Sequence, residues 1–259
     1  MDGPLDFLLV ALLAFICELI SSVLGGGYGS ILTPALILLG YELEVAVPCV
    51  LTSQLISNAF LVYMHHRLGT IRLSLNSDDV KVAGVLAACG VVGVVLAVLA
   101  LVRLPDWIVD AYVGLIILLV GLLVLARKGV RVNSSGKMSL RKLALVGVLS
   151  AFNKGLSGGG YGPLLSGGQV ISGMGAKKAI GRMLLAEVAI CFTGILAYLV
   201  AGLGLHWPLI AAATLGSTLM AVPSAYLVKR AREDKLRMGM GLLISALGLA
   251  MLLKLFITT

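Results

Sequence analysis

Apolar residues run through the chain in blocks separated by short polar turns, and the block lengths predict the architecture. Residues 5–24 form one run, with Asp6 at its edge and Glu18 inside it. A helix needs about 20 residues to cross a bilayer core, so this run is long enough to span. Residues 30–39 form a run half that length, and Gly25, Gly26, Gly27, Tyr28 and Gly29 lie between the two. Together the runs are too long for one crossing. The pattern predicts a helical hairpin that enters the membrane, breaks at the glycines and returns as a half-helix beginning after Gly29. Three ordinary spans are predicted next, over residues 44–64, 80–102 and 107–126. The order then repeats, with a hairpin over residues 143–171, broken at Gly158, Gly159, Gly160, Tyr161 and Gly162, and spans over 180–201, 207–228 and 238–256.

Composition fixes the class. Of the 259 residues, 59% are hydrophobic and only 12% charged, with mean hydropathy +1.07. A soluble domain carries about 25% charged residues. The chain is an integral membrane protein with no room for a separate soluble domain. Its start, with Asp2 and Asp6, differs from the positive start of a signal peptide, so the first apolar run is read as mature structure. The net charge of +8 would suggest nucleic acid in a soluble protein. Here the basic residues cluster between apolar runs, where they orient the chain, and no nucleic-acid partner is expected.

The two halves share a register. An offset of 133 maps Gly25 to Gly158, Leu32 to Leu165, Gly40 to Gly173, Leu51 to Leu184 and Gly69 to Gly202. After a shorter loop in the second half, an offset of 127 maps Gly114 to Gly241 and Gly121 to Gly248. The predicted organisation is a first membrane repeat over 1–127, a basic linker over 128–142 and a second repeat over 143–259. The linker region, with Arg127, Lys128, Arg131, Lys137, Arg141 and Lys142 and no acid, is placed in the cytoplasm. Lys177, Lys178 and Arg182, and the stretch Lys229 to Arg237, follow it inside; the acidic residues Glu42 and Glu44 and the uncharged turn around His206 lie outside. One hairpin and three crossings per half make the repeats inverted, with both termini outside, an architecture shared by many secondary transporters.

A helix broken at membrane depth opens backbone amides that hydrocarbon cannot satisfy. The half-helices would aim their partly positive N-termini into the protein from opposite leaflets, and with the glycine amides they would suit an anion. Pro163 at a first helical position fits, since it forfeits a donor that has no partner there; Pro34 reads as a kink. Close helix packing is the alternative use of small residues. Charges inside apolar runs are costly and mark function. Lys154 precedes the second glycine set and is expected to add charge at an anion; Glu187, and Glu18, are expected to carry a proton. A buried Lys–Glu pair serving assembly would leave the same trace. Gln54 stands opposite Glu187 in the repeat register, and with Asn58 and Asn153 it offers side-chain hydrogen bonds. Tyr28 and Tyr161 either cap the site or pack beside the glycines. His65 and His66 adjoin Arg67 at a helix end and are expected at the interface, as is Arg182. Cys17, Cys49, Cys89 and Cys191 sit singly in apolar runs and read as packing residues. Nothing has metal-ligand spacing, a Ser–His–acid grouping or a phosphate-loop continuation, so neither catalysis nor a cofactor is expected.

The paired glycine hairpins, the helix from Gly181 to Glu187 after the second, and the two halves resemble the TauE/SafE sulfite exporter family, also known as the toluene-sulfonate uptake permease group. The resemblance covers nearly the whole chain. It implies an all-α polytopic carrier in the cell (inner) membrane for small sulfur-containing anions, sulfite or organosulfonates, mostly exporting. It carries Gly25 to Gly29, Gly158 to Gly162 and Glu187 as motif residues, while Gln54 departs from a symmetric pair. The reading is an alternating-access transporter with a midplane site, with the bilayer and a small anion as partners; it allows a homodimer. An anion channel built on the same hairpins is the alternative.

Overall fold

The computed structural model describes residues 4–74, 76–101, 106–126, 139–157, 161–200 and 204–258. They form ten helices and, among the described residues, no strand. In the first half these are α1 (Pro4–Leu24), α2 (Tyr28–Leu38), α3 (Leu43–Arg67), α4 (Asp78–Leu101) and α5 (Asp106–Ala126). The second half gives α6 (Leu140–Ser157), α7 (Tyr161–Ile171), α8 (Ala176–Val200), α9 (Trp207–Arg230) and α10 (Glu233–Thr258). Each half thus has a long arm, an 11-residue half-helix and three long helices. Four helices are both long and apolar enough to cross a membrane over their described residues: Leu5–Leu24, Val45–Arg67, Ala176–Val200 and Trp207–Arg230. The protein is an all-α polytopic membrane protein. Most of the predicted linker, residues 128–138, lies outside the described residues.

The helices pack in matching sets. α1 lies along α9, as α6 lies along α4; α3 and α8 pack on each other, and so do α5 and α10. Each half's long hairpin arm therefore leans on a helix of the other half. Around the basic turns the contacts are specific. The α3–α4 turn joins the start of α8, because Asp79 accepts from the Arg182 side chain at 2.7 Å and from the Arg72 amide at 2.9 Å. Lys177 in turn donates to the Lys229 carbonyl at 2.7 Å, tying α8 to the end of α9. Elsewhere the α2–α3 turn meets the start of α9 through an edge-to-face contact between Tyr41 and His206, centroids 6.4 Å apart. His206 also accepts from the Leu209 amide and so caps α9.

The apolar interior divides in two. One cluster joins α1, α2 and the starts of α3 and α9 through Val10, Ala14, Leu32, Ala46, Cys49 and Leu209. The other joins the far half of α3 to α4–α10 through Leu61, Leu86, Leu165, Met183, Ala225 and Met240. Along α3 the side chains pass from the first cluster to the second across Ser53, Gln54, Ser57 and Asn58, all buried. Gln54 on α3 and Glu187 on α8 are each the twelfth of 25 residues. The buried polar layer thus lies at the middle of the long helices.

Candidate functional site

The first break is built by three consecutive glycines with φ of 84°, 123° and 117° at Gly25, Gly26 and Gly27. That region is open to glycine and strained for other residues. The Ser21 carbonyl accepts from the amides of both Gly25 (2.9 Å) and Gly26 (2.7 Å), closing the end of α1. Those two amides are therefore engaged in capping, which leaves the start of α2 as the open end. Gly27 is the N-cap, and α2 begins at Tyr28, so Tyr28 and Gly29 belong to the helix rather than preceding it. α2 continues through Pro34 to Leu38. In the second half α7 begins at Tyr161, which makes Pro163 its third residue, not its first. The substitution is tolerated because a first-turn amide has no carbonyl behind it to bond. Gly158, Gly159 and Gly160 lie outside the described residues.

The two breaks touch. A Cβ on Gly26 would come 2.6 Å from the Gly162 Cα, and one on Gly162 would come 2.7 Å from the Gly26 Cα. Ser166 of α7 donates its hydroxyl to the Gly25 carbonyl at 2.5 Å. Backbone meets backbone here, and only glycine allows that approach.

Beside this junction four helices bring their polar side chains together. Glu187 of α8 accepts from Lys154 Nζ (3.1 Å) and Gln54 Nε2 (3.4 Å) on Oε1, and from Asn58 Nδ2 (3.2 Å) on Oε2. Lys154 comes from α6, and Gln54 and Asn58 come from α3. Ser57 of α3 donates to Glu18 Oε2 of α1 at 3.4 Å, while Glu18 Oε1 has no hydrogen-bond partner among the described residues. Glu18, Gln54, Ser57, Asn58, Lys154 and Glu187 are all buried. Lys154 Nζ also sits 5.5 Å from the centre of the Tyr161 ring, which ties the charge to the first residue of α7.

The structure thus unites Gly26, Gly162 and their flanking tyrosines with Lys154, Glu187 and Gln54, and joins Glu18 through Ser57. The backbone of Asn153 belongs to α6, one residue before Lys154; its side chain lies outside the described residues. Burial adds to two expectations. Arg182 is 2% exposed and paired with Asp79, whose charge compensates its burial. His65 is fully buried, with neither ring nitrogen bonded among the described residues, whereas His66 is exposed. Sequence reasoning also missed Ser53, Ser57 and Ser166. The first two were readable, since positions 53, 54, 57 and 58 recur at the three- and four-residue spacing of one helix face.

The fold repeats, but the chemistry does not. The 133-residue register pairs Lys154 with Ser21, Glu18 with Ala151 and Asn58 with Cys191. Tyr28 donates to Ser53 Oγ at 3.0 Å, because the Ser53 hydrogen is already given to the Val50 carbonyl. Ala186 stands where Ser53 has its counterpart, and the Tyr161 hydroxyl has no partner among the described residues.

Comparison with known proteins agrees with this architecture. Residues 10–251 match the model of the family described as sulfite exporter TauE/SafE. The chain is similar to the probable membrane transporter protein YtnM of Bacillus subtilis (strain 168), 25% identical over 233 residues that cover 85% of this chain and 74% of that protein. With nearly its whole length matched, two touching helix breaks and a buried charged layer at mid-helix, the chain belongs to the TauE/SafE family of membrane transport proteins.

Proposed function

We propose that the protein is a secondary transporter that exports small sulfur-containing anions, sulfite or organosulfonates, across the inner membrane by alternating access with proton coupling, and that it does no catalysis. The observation that carries the reading is the contact between the two glycine breaks beside a buried lysine, Lys154. Two half-helix starts and one ammonium at mid-depth favour a negatively charged ligand over a neutral or cationic one. The Tyr28 and Gly29 amides at the α2 start, Tyr161 and Gly162 at the α7 start, and Gln54 and Lys154 would hold the oxygens. Gly158, Gly159, Gly160 and Asn153 are proposed to complete the second side. Glu187 and Glu18 are the proton carriers in this scheme, being the carboxyl groups buried in the layer. The basic turns support an orientation with the Arg182 end in the cytoplasm and both termini outside.

A carrier is favoured over a channel because the Gly26–Gly162 contact and the Ser166–Gly25 bond close the junction. The cross-packed arms also mean that the moving bodies are not the sequence halves as such. In proteoliposomes, saturable flux of sulfite and methanesulfonate, faster with a pH gradient and absent for acetate, is the expected result. Flux equal to that of empty vesicles overturns the reading, and non-saturating flux indifferent to pH gradient favours a channel.

A further inference from the structure

We infer that the Glu187 carboxylate holds the place of the transported anion, so that protonation of Glu187 and binding of the anion to Lys154 and Tyr161 are one coupled exchange. The inference rests on the transporter reading above and specifies its coupling.

Three observations converge on it. First, Glu187 collects an ammonium and two carboxamide donors, from Lys154, Gln54 and Asn58. That is a donor set suited to any oxyanion, and a carboxylate is one. Second, Lys154 is buried and its ion-pair partner is Glu187. An arriving anion must therefore displace a carboxylate already in residence or leave it neutral. Third, the Tyr161 hydroxyl has no partner among the described residues although Tyr161 is 1% exposed, and Lys154 Nζ lies 5.5 Å from its ring. Buried hydroxyls are normally hydrogen-bonded, as that of Tyr28 is by Ser53. Replacement of the matching serine by Ala186 leaves Tyr161 with a donor free for a ligand oxygen. The first half, with Ser21 in the place of Lys154 and a satisfied tyrosine, offers neither feature. One site on the second-repeat side follows, rather than two symmetric ones.

The exchange balances. Glu187 takes one proton from water on the side to which the site is open, forming an O–H bond on its carboxylate. Lys154 stays an ammonium and transfers its hydrogen bond from Glu187 to the anion. One monovalent anion enters with one proton, so the net charge of the buried layer is unchanged, which limits the cost of burying it, and the pair moves outward only when the anion's own gradient exceeds the opposing proton gradient. When the anion leaves, the proton leaves and the Lys154–Glu187 pair re-forms. Other titratable groups surround Glu187: Glu18 from α1, Tyr161 from α7, Cys191 on α8 itself and Cys89 from α4, which faces Tyr161. Farther along α8, Arg182 is held by Asp79 of α4; α3 adds His65 two turns beyond Asn58; and α10 carries Asp234, Lys235 and Arg237 in its first turns.

The test uses the full chain in nanodiscs and methanesulfonate, which stays ionised across the working pH range, with sulfite as a second probe. Binding is measured from acid to alkaline pH, and proton uptake is read in weak buffer. For the native protein, one proton is taken up per methanesulfonate bound, and affinity falls about tenfold per pH unit wherever binding takes up that proton. Glu187→Gln is expected to bind with no proton uptake and no pH slope, and to exchange anion across vesicles without accumulating it on a pH gradient. Tyr161→Phe is expected to weaken binding about tenfold with the proton count still one, as for loss of one hydrogen bond to an ion. Native binding without proton uptake, or a Glu187→Gln variant that keeps the pH slope, overturns the exchange and leaves the transporter reading standing. Failure of the native protein to bind either probe overturns both.

Discussion

Gly26 and Gly162 approach so closely that a methyl group on Gly162 would lie 2.7 Å from the Gly26 Cα. The contact joins two segments 136 residues apart through backbone alone, at the point where both hairpins are broken.

This contact sets the first expectation. Gly26→Ala combines a backbone φ of +123° with a collision against Gly162 and Pro163, neither of which is a flexible side-chain end. A left-handed conformation costs about 1–2 kcal/mol and overpacking about 1–3 kcal/mol more. Gly162→Ala should lose the overpacking part alone. Gly84→Ala, on an exposed face of α4 with open space around it, should be neutral or gain up to about 1 kcal/mol. Thermal unfolding in detergent should order the three variants in that way.

The two tyrosines of the breaks should separate in stability. Tyr28→Phe removes a hydrogen bond to Ser53 and should cost about 1 kcal/mol. Tyr161→Phe removes a buried hydroxyl that has no partner among the described residues, and should leave stability unchanged or raise it. Equal losses from both would contradict the difference between Ser53 and Ala186.

The Arg182–Asp79 pair offers a further check. Arg182→Ala leaves the Asp79 carboxylate buried without its guanidinium and should cost about 3–5 kcal/mol. Combining it with Asp79→Leu should recover part of the loss, because no carboxylate is then left buried without its guanidinium. A double-mutant cycle in the same unfolding assay reads the recovery directly.

A similar rescue at the site should divide structure from function. Lys154→Ala strands Glu187 with, among the described residues, its two carboxamide donors and should destabilise the fold by about 3–5 kcal/mol. Adding Glu187→Gln should restore stability but not anion flux in proteoliposomes, since the ammonium is still missing. Restored flux would remove Lys154 from the site.

How much of this was legible beforehand depends on range. The hairpins were readable because a 20-residue run followed by glycines and a half-length run has few other solutions in a bilayer; α1 ends at Leu24 as the pattern requires. The Gln54–Glu187 bond was foreshadowed by the 133-residue register. The helix starts at Tyr28 and Tyr161 were each misplaced by two residues; before Tyr28 the reason is that three consecutive left-handed glycines turn the chain completely ahead of the tyrosine. The partner of Arg182 was not readable because Asp79 is 103 residues away in sequence, in the first turn of α4. Likewise nothing local marks His65 as buried beside an exposed His66. Local periodicity reports which face is apolar; it is silent on which distant helix covers a charge.

The leaning of α1 on α9, and of α6 on α4, has a consequence for biogenesis. Synthesis delivers α1 first and α9 next to last, so the flank of α1 that rests on α9 waits in lipid, or against the insertion machinery, until almost the entire polypeptide has been made. A ribosome that stops at the central linker releases a fragment lacking the surface on which its leading segment is meant to rest. Quality-control proteases should therefore clear either fragment expressed alone, while co-expression of both should rescue them together.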